Sequence, residues 1–285
     1  MRAPAEAFIR AGQTLARISL LLVLAVPITQ AAPRFQITTL GTLGGSDSQA
    51  NALNRLGHVA GWASDTNGNQ RAFLYTNGVM VNLGTLGGNA SEALGLNDLD
   101  QVVGWSSTSN GVKHAFVFRD NKMVDLGTLG GTDSCAMGIN NDGRIVGWAF
   151  NCGYSFVTLC ESNHPFIQHA FRTELNRMVD LGTLGGPHSA ATAVNGNGDI
   201  SGWSFQDDNS TFAVLWDSGG LVNLGTLGPY PQSEALAMND AGHIVGFSYP
   251  TNSSEHAFLV TGGVMQDLSP LAPGITSKGL AIKAV

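Results

Sequence analysis

A string of six residues, LGTLGG, recurs along the chain and constrains its fold more than any other feature. It begins at Leu40, Leu83, Leu126 and Leu181, and the variant LGTLGP begins at Leu224. These strings are 43, 43, 55 and 43 residues apart, and a weaker echo, LSPLAP, follows 44 residues later at Leu268. Self-similarity with a period of about 20–50 residues is the signature of repeat architectures. The chain is therefore predicted to be an array of five similar units of about 43 residues.

Each unit contains four short apolar segments in a fixed order. In the second unit they are Ser91–Asn97, Gln101–Ser106, His114–Phe118 and Lys122–Gly127. Valine, leucine, methionine and aromatic residues dominate the segments, and glycine, asparagine or aspartate separates them, which indicates strands joined by tight turns. A propeller blade consists of four antiparallel strands in about 40–45 residues. We therefore predict an all-β fold, a β-propeller of five four-stranded blades, with a β-solenoid as the alternative.

The repeat also sets the domain boundaries. Residues 35–285 are predicted to form a single repeat domain with units at approximately 46–88, 89–131, 132–186, 187–228 and 229–269. The segments Phe35–Leu40 and Ser277–Lys283 resemble a fourth and a first strand, so residues 270–285 and 35–45 are predicted to form a partial sixth unit. We expect five full blades with the two terminal strands lying together. A shortened relative of a six-bladed ring is the alternative.

The N-terminal residues have the pattern of a secretory signal peptide. Arg2, Arg10 and Arg17 precede the apolar run Ile18–Ile28, and small residues follow it, so residues 1–31 are the predicted signal. The run of 11 residues is shorter than the roughly 20 that a membrane span needs, and an uncleaved anchor is the alternative. We expect a secreted or periplasmic protein without integral membrane contact after cleavage.

The charge of the mature chain excludes one class of partner. Removing residues 1–31 leaves 11 basic and 20 acidic residues, a net charge of −9. Nucleic-acid binding depends on lysine and arginine that neutralise phosphates. An acidic chain without a basic cluster is therefore not expected to bind nucleic acid.

Three repeated strings resemble the HAF-repeat family of probable extracellular repeat proteins. They are LGTLGG, the pattern INxxGxVVGWS and the tripeptide His-Ala-Phe, which begins at His114, His169 and His256. The resemblance covers residues 35 to about 269 and departs at Arg71, at Phe212–Val214 and in the incomplete C-terminal unit. The family has no assigned activity, so the resemblance implies an extracytoplasmic location and a repeat architecture but no chemistry.

Two sets of residues occupy equivalent repeat positions, and we interpret both as structural. The histidines of His-Ala-Phe share their position with Arg71 and Phe212, which cannot ligate zinc as histidine does, so hydrogen bonding is favoured over a metal ring. The second strands carry one large aromatic residue each: Trp62, Trp105, Trp148, Trp203 and Phe247. These are predicted to pack between blades, with carbohydrate stacking as the alternative.

No cofactor is predicted. Cys152 and Cys160 are a candidate disulfide of an exported chain, and Cys135 is predicted to be a small buried residue. The segments Asp65–Asn69 and Asn195–Asp199 alternate oxygen-bearing side chains as calcium loops do, but neither has the closing acidic ligand. Turns are therefore predicted there, with a structural calcium ion as the alternative. The glycine-rich string lacks the lysine of a phosphate-binding loop.

The loops between second and third strands differ in sequence from unit to unit, and recognition usually resides in such loops. The predicted ligand-binding residues are the aromatic ones on this face: Phe150, Tyr154, Phe156, Phe166, Phe205 and Tyr249. We therefore expect a non-enzymatic binding module for a glycan or a protein. A carbohydrate-active hydrolase or lyase, which would need carboxylates such as Glu92 and Glu234, is one alternative, and a purely structural repeat is another.

Overall fold

The structure, a computed structural model, describes residues 37–151, 167–175, 177–251, 254–268 and 276–282. Within these ranges the chain forms twenty β-strands, all of which lie in the compact unit Leu40–Val285. None of the described residues belongs to a helix with the length and hydropathy needed to cross a membrane. The predicted signal peptide lies outside the described residues.

The strands form five four-stranded antiparallel sheets, each with its strands in chain order. Sheet 1 contains β1 (Gly44–Leu53), β2 (Val59–Asp65), β3 (Gln70–Thr76) and β4 (Val79–Asn82). Sheet 2 contains β5 (Gly87–Leu96), β6 (Val102–Thr108), β7 (Lys113–Arg119) and β8 (Lys122–Asp125). Sheet 3 contains β9 (Gly130–Ile139), β10 (Ile145–Asn151), β11 (Ile167–Glu174) and β12 (Arg177–Asp180). Sheet 4 contains β13 (Gly185–Val194), β14 (Ile200–Gln206), β15 (Thr211–Asp217) and β16 (Gly220–Asn223). Sheet 5 contains β17 (Ser233–Met238), β18 (Ile244–Thr251), β19 (Ser254–Thr261) and β20 (Val264–Asp267). The all-β prediction is confirmed.

The first strands of sheets 1 to 4 begin earlier than the sequence pattern predicts. In sheet 2 the strand begins at Gly87, within the LGTLGG string, because Gly87 pairs with Thr108 before a register shift leads to Ser91. Gly87 has a φ of +105°, a conformation that glycine adopts without steric cost. The glycine-rich string therefore both links two sheets and starts the next one.

The glycine of each Gly-Trp or Gly-Phe pair is required by a close backbone approach. A Cβ atom on Gly104 would overlap the carbonyl oxygen of Glu92 on the bulged first strand. The equivalent glycine of every other sheet meets the same obstacle: Gly61, Gly147, Gly202 and Gly246. A side chain here would force the first two strands of a sheet apart.

An asparagine organises each turn between first and second strands. Asn97 Oδ1 accepts hydrogen bonds from the backbone N–H groups of Leu99 and Gln101, both at 3.0 Å. Its Nδ2 donates to the backbone oxygen of Asn140 at 3.0 Å and so ties sheet 2 to sheet 3. Asp100 takes the usual glycine position with a φ of +58°, which aspartate tolerates better than most residues.

Consecutive sheets pack through their first strands. The first strand of each later sheet contacts the first three strands of the sheet before it, as β5 does with β1, β2 and β3. Each interface encloses an apolar cluster, and Phe116 of sheet 2 packs with Ala72 and Leu74 of sheet 1. Phe116 is fully buried, and removing such a ring costs about 3–5 kcal/mol.

The described parts of the two predicted terminal strands do not pair as β-strands. Residues 37–40 and 276–282 lack the ladder hydrogen bonds that define a strand. The later stretch nevertheless packs on sheet 5, where Gly279 N donates to Gly246 O at 3.0 Å. Within the described residues no second strand runs beside it, and the partial sixth unit stays a prediction.

Candidate functional site

The turns between second and third strands share one backbone form in three sheets despite their different sequences. The first residue of each turn donates its N–H to the carbonyl four residues later: Asp65 to Asn69, Thr108 to Val112 and Gln206 to Ser210, all at 2.9 Å. In these three sheets the turns on this face therefore differ in their side chains but not in their backbone form. The longest of these loops contains Tyr154, Phe156, Phe166, Cys152 and Cys160, which lie outside the described residues.

The three remaining predicted ligand-binding residues lie on consecutive sheets, each beside the large aromatic residue of its strand. The ring centroids are 5.5 Å apart for Trp148 and Phe150, 5.6 Å for Trp203 and Phe205, and 5.9 Å for Phe247 and Tyr249. Sheets 3, 4 and 5 thus each present a pair of aromatic side chains near the end where second strands lead into third strands.

The second-strand aromatics differ in burial, and their packing between blades stays a prediction. Phe247 is buried, but Trp62, Trp105, Trp148 and Trp203 are only partly buried. Trp105 stands opposite Glu92 of the first strand, and Glu92 is itself partly exposed.

A cavity of about 520 Å³ opens at the same end of sheet 5. The residues that matter for its chemistry come from sheets 4 and 5 and from the C-terminal segment: Thr211, Glu234, Phe247, Tyr249, Glu255 and Lys278. We call it the sheet 5 cavity. It brings Tyr249, a predicted ligand-binding residue, next to Glu234, which the sequence indicated only as a carboxylate for a possible enzyme.

Three polar side chains of the sheet 5 cavity are bonded to one another. The Tyr249 hydroxyl donates to Glu255 Oε1 at 2.5 Å, and Lys278 Nζ lies 3.2 Å from the same oxygen. Lys278 Nζ also lies 4.1 Å from the centre of the Phe247 ring, a cation–π contact. The Tyr249 hydrogen bond, together with Lys278, lowers the pKa of Glu255. The same bond raises the pKa of Tyr249 to about 12.

Glu234 is the acidic residue of the cavity that does not belong to this bonded group. Burial raises its pKa, and the negative charge of Glu255 adds to this effect while Lys278 opposes it. No described residue donates a hydrogen bond to its carboxyl group. A partly buried carboxyl group without a donor is costly to leave unmatched, so it is suited to bind a donor from outside the chain.

Glu92 occupies the equivalent position in sheet 2, and its carboxyl group is hydrogen-bonded within the fold. Its oxygens accept hydrogen bonds from Asn51 Nδ2 and Gln70 Nε2, both at 3.0 Å, and from Trp105 Nε1 at 3.2 Å. At the corresponding repeat positions around Glu234 the residues are Thr192, Thr211 and Phe247, of which Thr211 and Phe247 line the cavity. The replacement of an asparagine, a glutamine and a tryptophan around one glutamate by two shorter residues and a phenylalanine is the sequence signal that could have identified the cavity.

The histidines of His-Ala-Phe lie away from the cavity and pair with fourth-strand aspartates. His114 Nδ1 is 2.9 Å from Asp125, His169 Nδ1 is 2.7 Å from Asp180, and His256 Nδ1 is 2.9 Å from Asp267. The two units without this histidine carry asparagine at the aspartate position, Asn82 and Asn223. Each pair therefore joins a third strand to its fourth.

The candidate calcium turn and Cys135 are both engaged within the fold. Asp65 Oδ1 accepts the N–H groups of Asn67 and Asn69, and Asp65 Oδ2 pairs with Arg71 at 3.0 Å. Cys135 is buried in β9, and burial raises the pKa of its thiol to about 12. Within the described ranges, no three histidine, cysteine, aspartate or glutamate side chains cluster as metal ligands would.

Comparison with known proteins gives a fold but no family. No protein-family model matches the sequence, and no curated protein matches it significantly. The chain is similar to the crystal structure of TolB from Acinetobacter baumannii, with a TM-score of 0.51 and 12% identity over 78% of this chain and 54% of TolB. A mutant of AofleA from Arthrobotrys oligospora with three arginines replaced gives a TM-score of 0.37 and 11% identity, over 85% of this chain and 78% of AofleA. The chain spans about half the length of TolB, and the likeness to TolB shows an all-β, propeller-like fold.

Proposed function

We propose that this protein is a non-enzymatic binding module outside the cytoplasm, which captures a saccharide in the sheet 5 cavity. The observation that carries the proposal is the Glu234 carboxyl group, which is half-buried and receives no hydrogen bond from the described residues. Saccharide hydroxyl groups are donors that would satisfy it. The five sheets would act as five propeller blades that hold this site rigidly, and the predicted signal peptide would export the chain.

The size and lining of the cavity support a small ligand over a protein surface. Its volume of about 520 Å³ lies within the roughly 300–1,000 Å³ typical of small-molecule sites. Tyr230, at 38% exposure, lies 6.4 Å from Tyr249 between ring centroids. Aromatic rings with a polar end suit ligands that have both apolar and hydroxylated faces. A protein ligand is the competing outcome of the test below.

The test is capture of immobilised glycans by the mature chain and by Glu234→Gln. The substitution keeps the shape but removes the negative charge, and a hydrogen bond to a charged group is worth about 1.5–3 kcal/mol. We therefore expect binding to weaken at least about tenfold. Glu174→Gln, at the end of β11 and outside the sheet 5 cavity, is the control and should bind normally. Full capture by Glu234→Gln would exclude Glu234 as a ligand contact.

A second candidate function, glycoside hydrolysis, is favoured by one observation. The pKa of Glu234 is raised and that of Glu255 is lowered in the same cavity. Two carboxyl groups with divergent pKa values can serve as the acid and the base of such a reaction.

Hydrolysis is tested by the release of reducing sugar from the captured glycan. In an enzyme, removing the acid in Glu234→Gln should slow the release by about 10²–10⁴-fold. A glycan that is captured by the unmodified chain and stays intact supports a binding module instead.

A further inference from the structure

One hydrogen-bonded contact recurs at every interface between consecutive sheets. A first-strand serine accepts the backbone N–H of the third-strand alanine in the preceding sheet. The donors and acceptors are Ala72 and Ser91, Ala115 and Ser134, Ala170 and Ser189, and Ala213 and Ser233, at 2.8–2.9 Å. These serines are at most 1% exposed. The contact is therefore a fixed part of how one sheet recognises the next.

The C-terminal segment repeats this contact on sheet 5. Ala257 N donates to Ser277 Oγ at 3.0 Å, and Ser277 N donates to Glu255 O at 2.9 Å. The sequence Ser277–Ile282 also resembles Ser91–Leu96, with serine first, small residues third and fifth, and leucine fourth. Residues 277–282 thus occupy the place of a sixth first strand, and no described strand pairs with their other edge.

The first strand of sheet 1 shows the same surface without a cover. Ser48 Oγ donates to Gly41 O at 2.8 Å, as Ser91 Oγ donates to Gly84 O, but no described N–H reaches it. Ser48 and Ala50 are exposed, whereas the equivalent Ser91 and Ala93 are fully buried. Leu53 is 70% exposed on the same strand. This surface is built to receive a third strand.

We propose that β1 and residues 277–282 border one gap, which accepts a two-stranded β-hairpin of this same repeat from a different polypeptide, not from a second copy of this chain. The second strand of the hairpin would pair with residues 277–282, and its third strand would place an alanine N–H on Ser48 Oγ. The four interfaces between consecutive sheets already have this form, and the proposed contact would continue the same series. The proposal shares Lys278 with the sheet 5 cavity but rests on different observations from those that support the saccharide site.

The repeat identifies the chemistry that the partner must carry. Its second strand needs glycine opposite the bulged first strand, since Gly104 and its equivalents leave no space for a Cβ atom. Its third strand needs Ala-Phe, because Ala115 and Phe116 are fully buried against their neighbours. A hairpin without these residues would not fit the gap.

The first experiment uses residues 101–120 of this chain as a synthetic hairpin. We expect saturable binding of one peptide per chain, measured by fluorescence anisotropy, and at least a tenfold loss with Ala50→Glu or with a Gly104→Val peptide. Val79→Glu, on the exposed β4 of the same sheet, is the matched control and should bind normally. Absent binding, or binding that survives Ala50→Glu, would overturn the proposal. A chain that dimerises alone and is monomeric as Ala50→Glu would also overturn it, in favour of a second copy.

A second experiment removes the dependence on peptide folding. Residues 97–125 are appended after Ile282, so that the two strands of the proposed hairpin are supplied within the chain. Ala50→Glu should then lower the melting temperature by several degrees, because it buries a charge, while the same change in the unextended chain leaves it unaltered. Equal effects of Ala50→Glu in the two chains would contradict the proposal.

Discussion

The tetrapeptide Ser-Glu-Ala-Leu occurs in the first strands of both sheet 2 and sheet 5, yet its glutamate has a different environment in each. Glu92 accepts hydrogen bonds from an asparagine, a glutamine and a tryptophan. Glu234 lines the sheet 5 cavity, and the three corresponding positions around it carry threonine, threonine and phenylalanine. The backbone around the two glutamates is the same, since both precede a bulge opposite a glycine.

The difference shows that the chemistry of a repeat position depends on the units on either side. Two of the three donors to Glu92, Asn51 and Gln70, belong to sheet 1. At Glu234 the residue that replaces Asn51 is Thr192, whose hydroxyl bonds to Ala235 O at 2.9 Å instead. A repeat can therefore change one unit from structure to binding through substitutions that leave the strands unchanged.

The largest expected contrast is in stability. Glu92→Ala leaves three donors without their acceptor, and we expect it to lower the free energy of unfolding by about 2 kcal/mol. Glu234→Ala removes no hydrogen bond to a described residue, and we expect a change within about 0.5 kcal/mol. Urea denaturation of both variants measures the difference. Equal losses would mean that the hydrogen bonds around Glu92 contribute nothing.

A double substitution should make the two sites alike. Phe247→Trp with Thr211→Gln places two of the three donors to Glu92 at the corresponding positions around Glu234, which should lower the pKa of Glu234 and weaken saccharide capture by about tenfold. NMR titration of the carboxyl carbon follows the pKa, and glycan binding follows capture. The reverse change, Trp105→Phe with Gln70→Thr, is the control and should leave capture intact. If the pKa of Glu234 falls while saccharide capture is undiminished, Glu234 does not contact the ligand.

The smallest expected effect is on the pH dependence of stability. Because the folded state raises the pKa of Glu234 above its ordinary 4.5, the folded chain keeps a proton that the unfolded chain has released. The stability from this proton is full below pH 4.5 and is lost as the pH rises through the folded pKa. We expect Glu234→Gln to lack this loss, so its stability relative to the unmodified chain rises from pH 4 to pH 8, as measured by thermal unfolding at each pH. A parallel pH dependence in both chains would contradict a raised pKa.

The strand pattern could be predicted because each strand is short, apolar and bounded by turn residues. The start of the first strands could not, since Gly87 and its equivalents look like loop residues until their pairing is known. The aromatic pattern identified the positions of the tryptophans but not their exposure. Exposure depends on how far the facing first strand covers the ring, which the residue type alone does not reveal.

The candidate site was predicted only in part for a related reason. Tyr249 was indicated by its loop and Glu234 by its charge, but Glu255 and Lys278 were not singled out. Lys278 reaches the cavity because a segment 44 residues after Glu234 packs on sheet 5 as another first strand would. A contact between units, such as that of Lys278, cannot be predicted from the sequence pattern or the residue spacing within one unit.

The packing of each first strand on the sheet before it has a consequence for unfolding. Interfaces in series give nearest-neighbour stability, in which a unit is held by its two contacts and little else. Among the residues that the structure describes, none covers the first strand of sheet 1 as the later first strands are covered, so amide hydrogens near Ala50 should exchange sooner than those near Ala136 or Ala191. Unfolding would then begin at sheet 1 and proceed from sheet to sheet toward sheet 5.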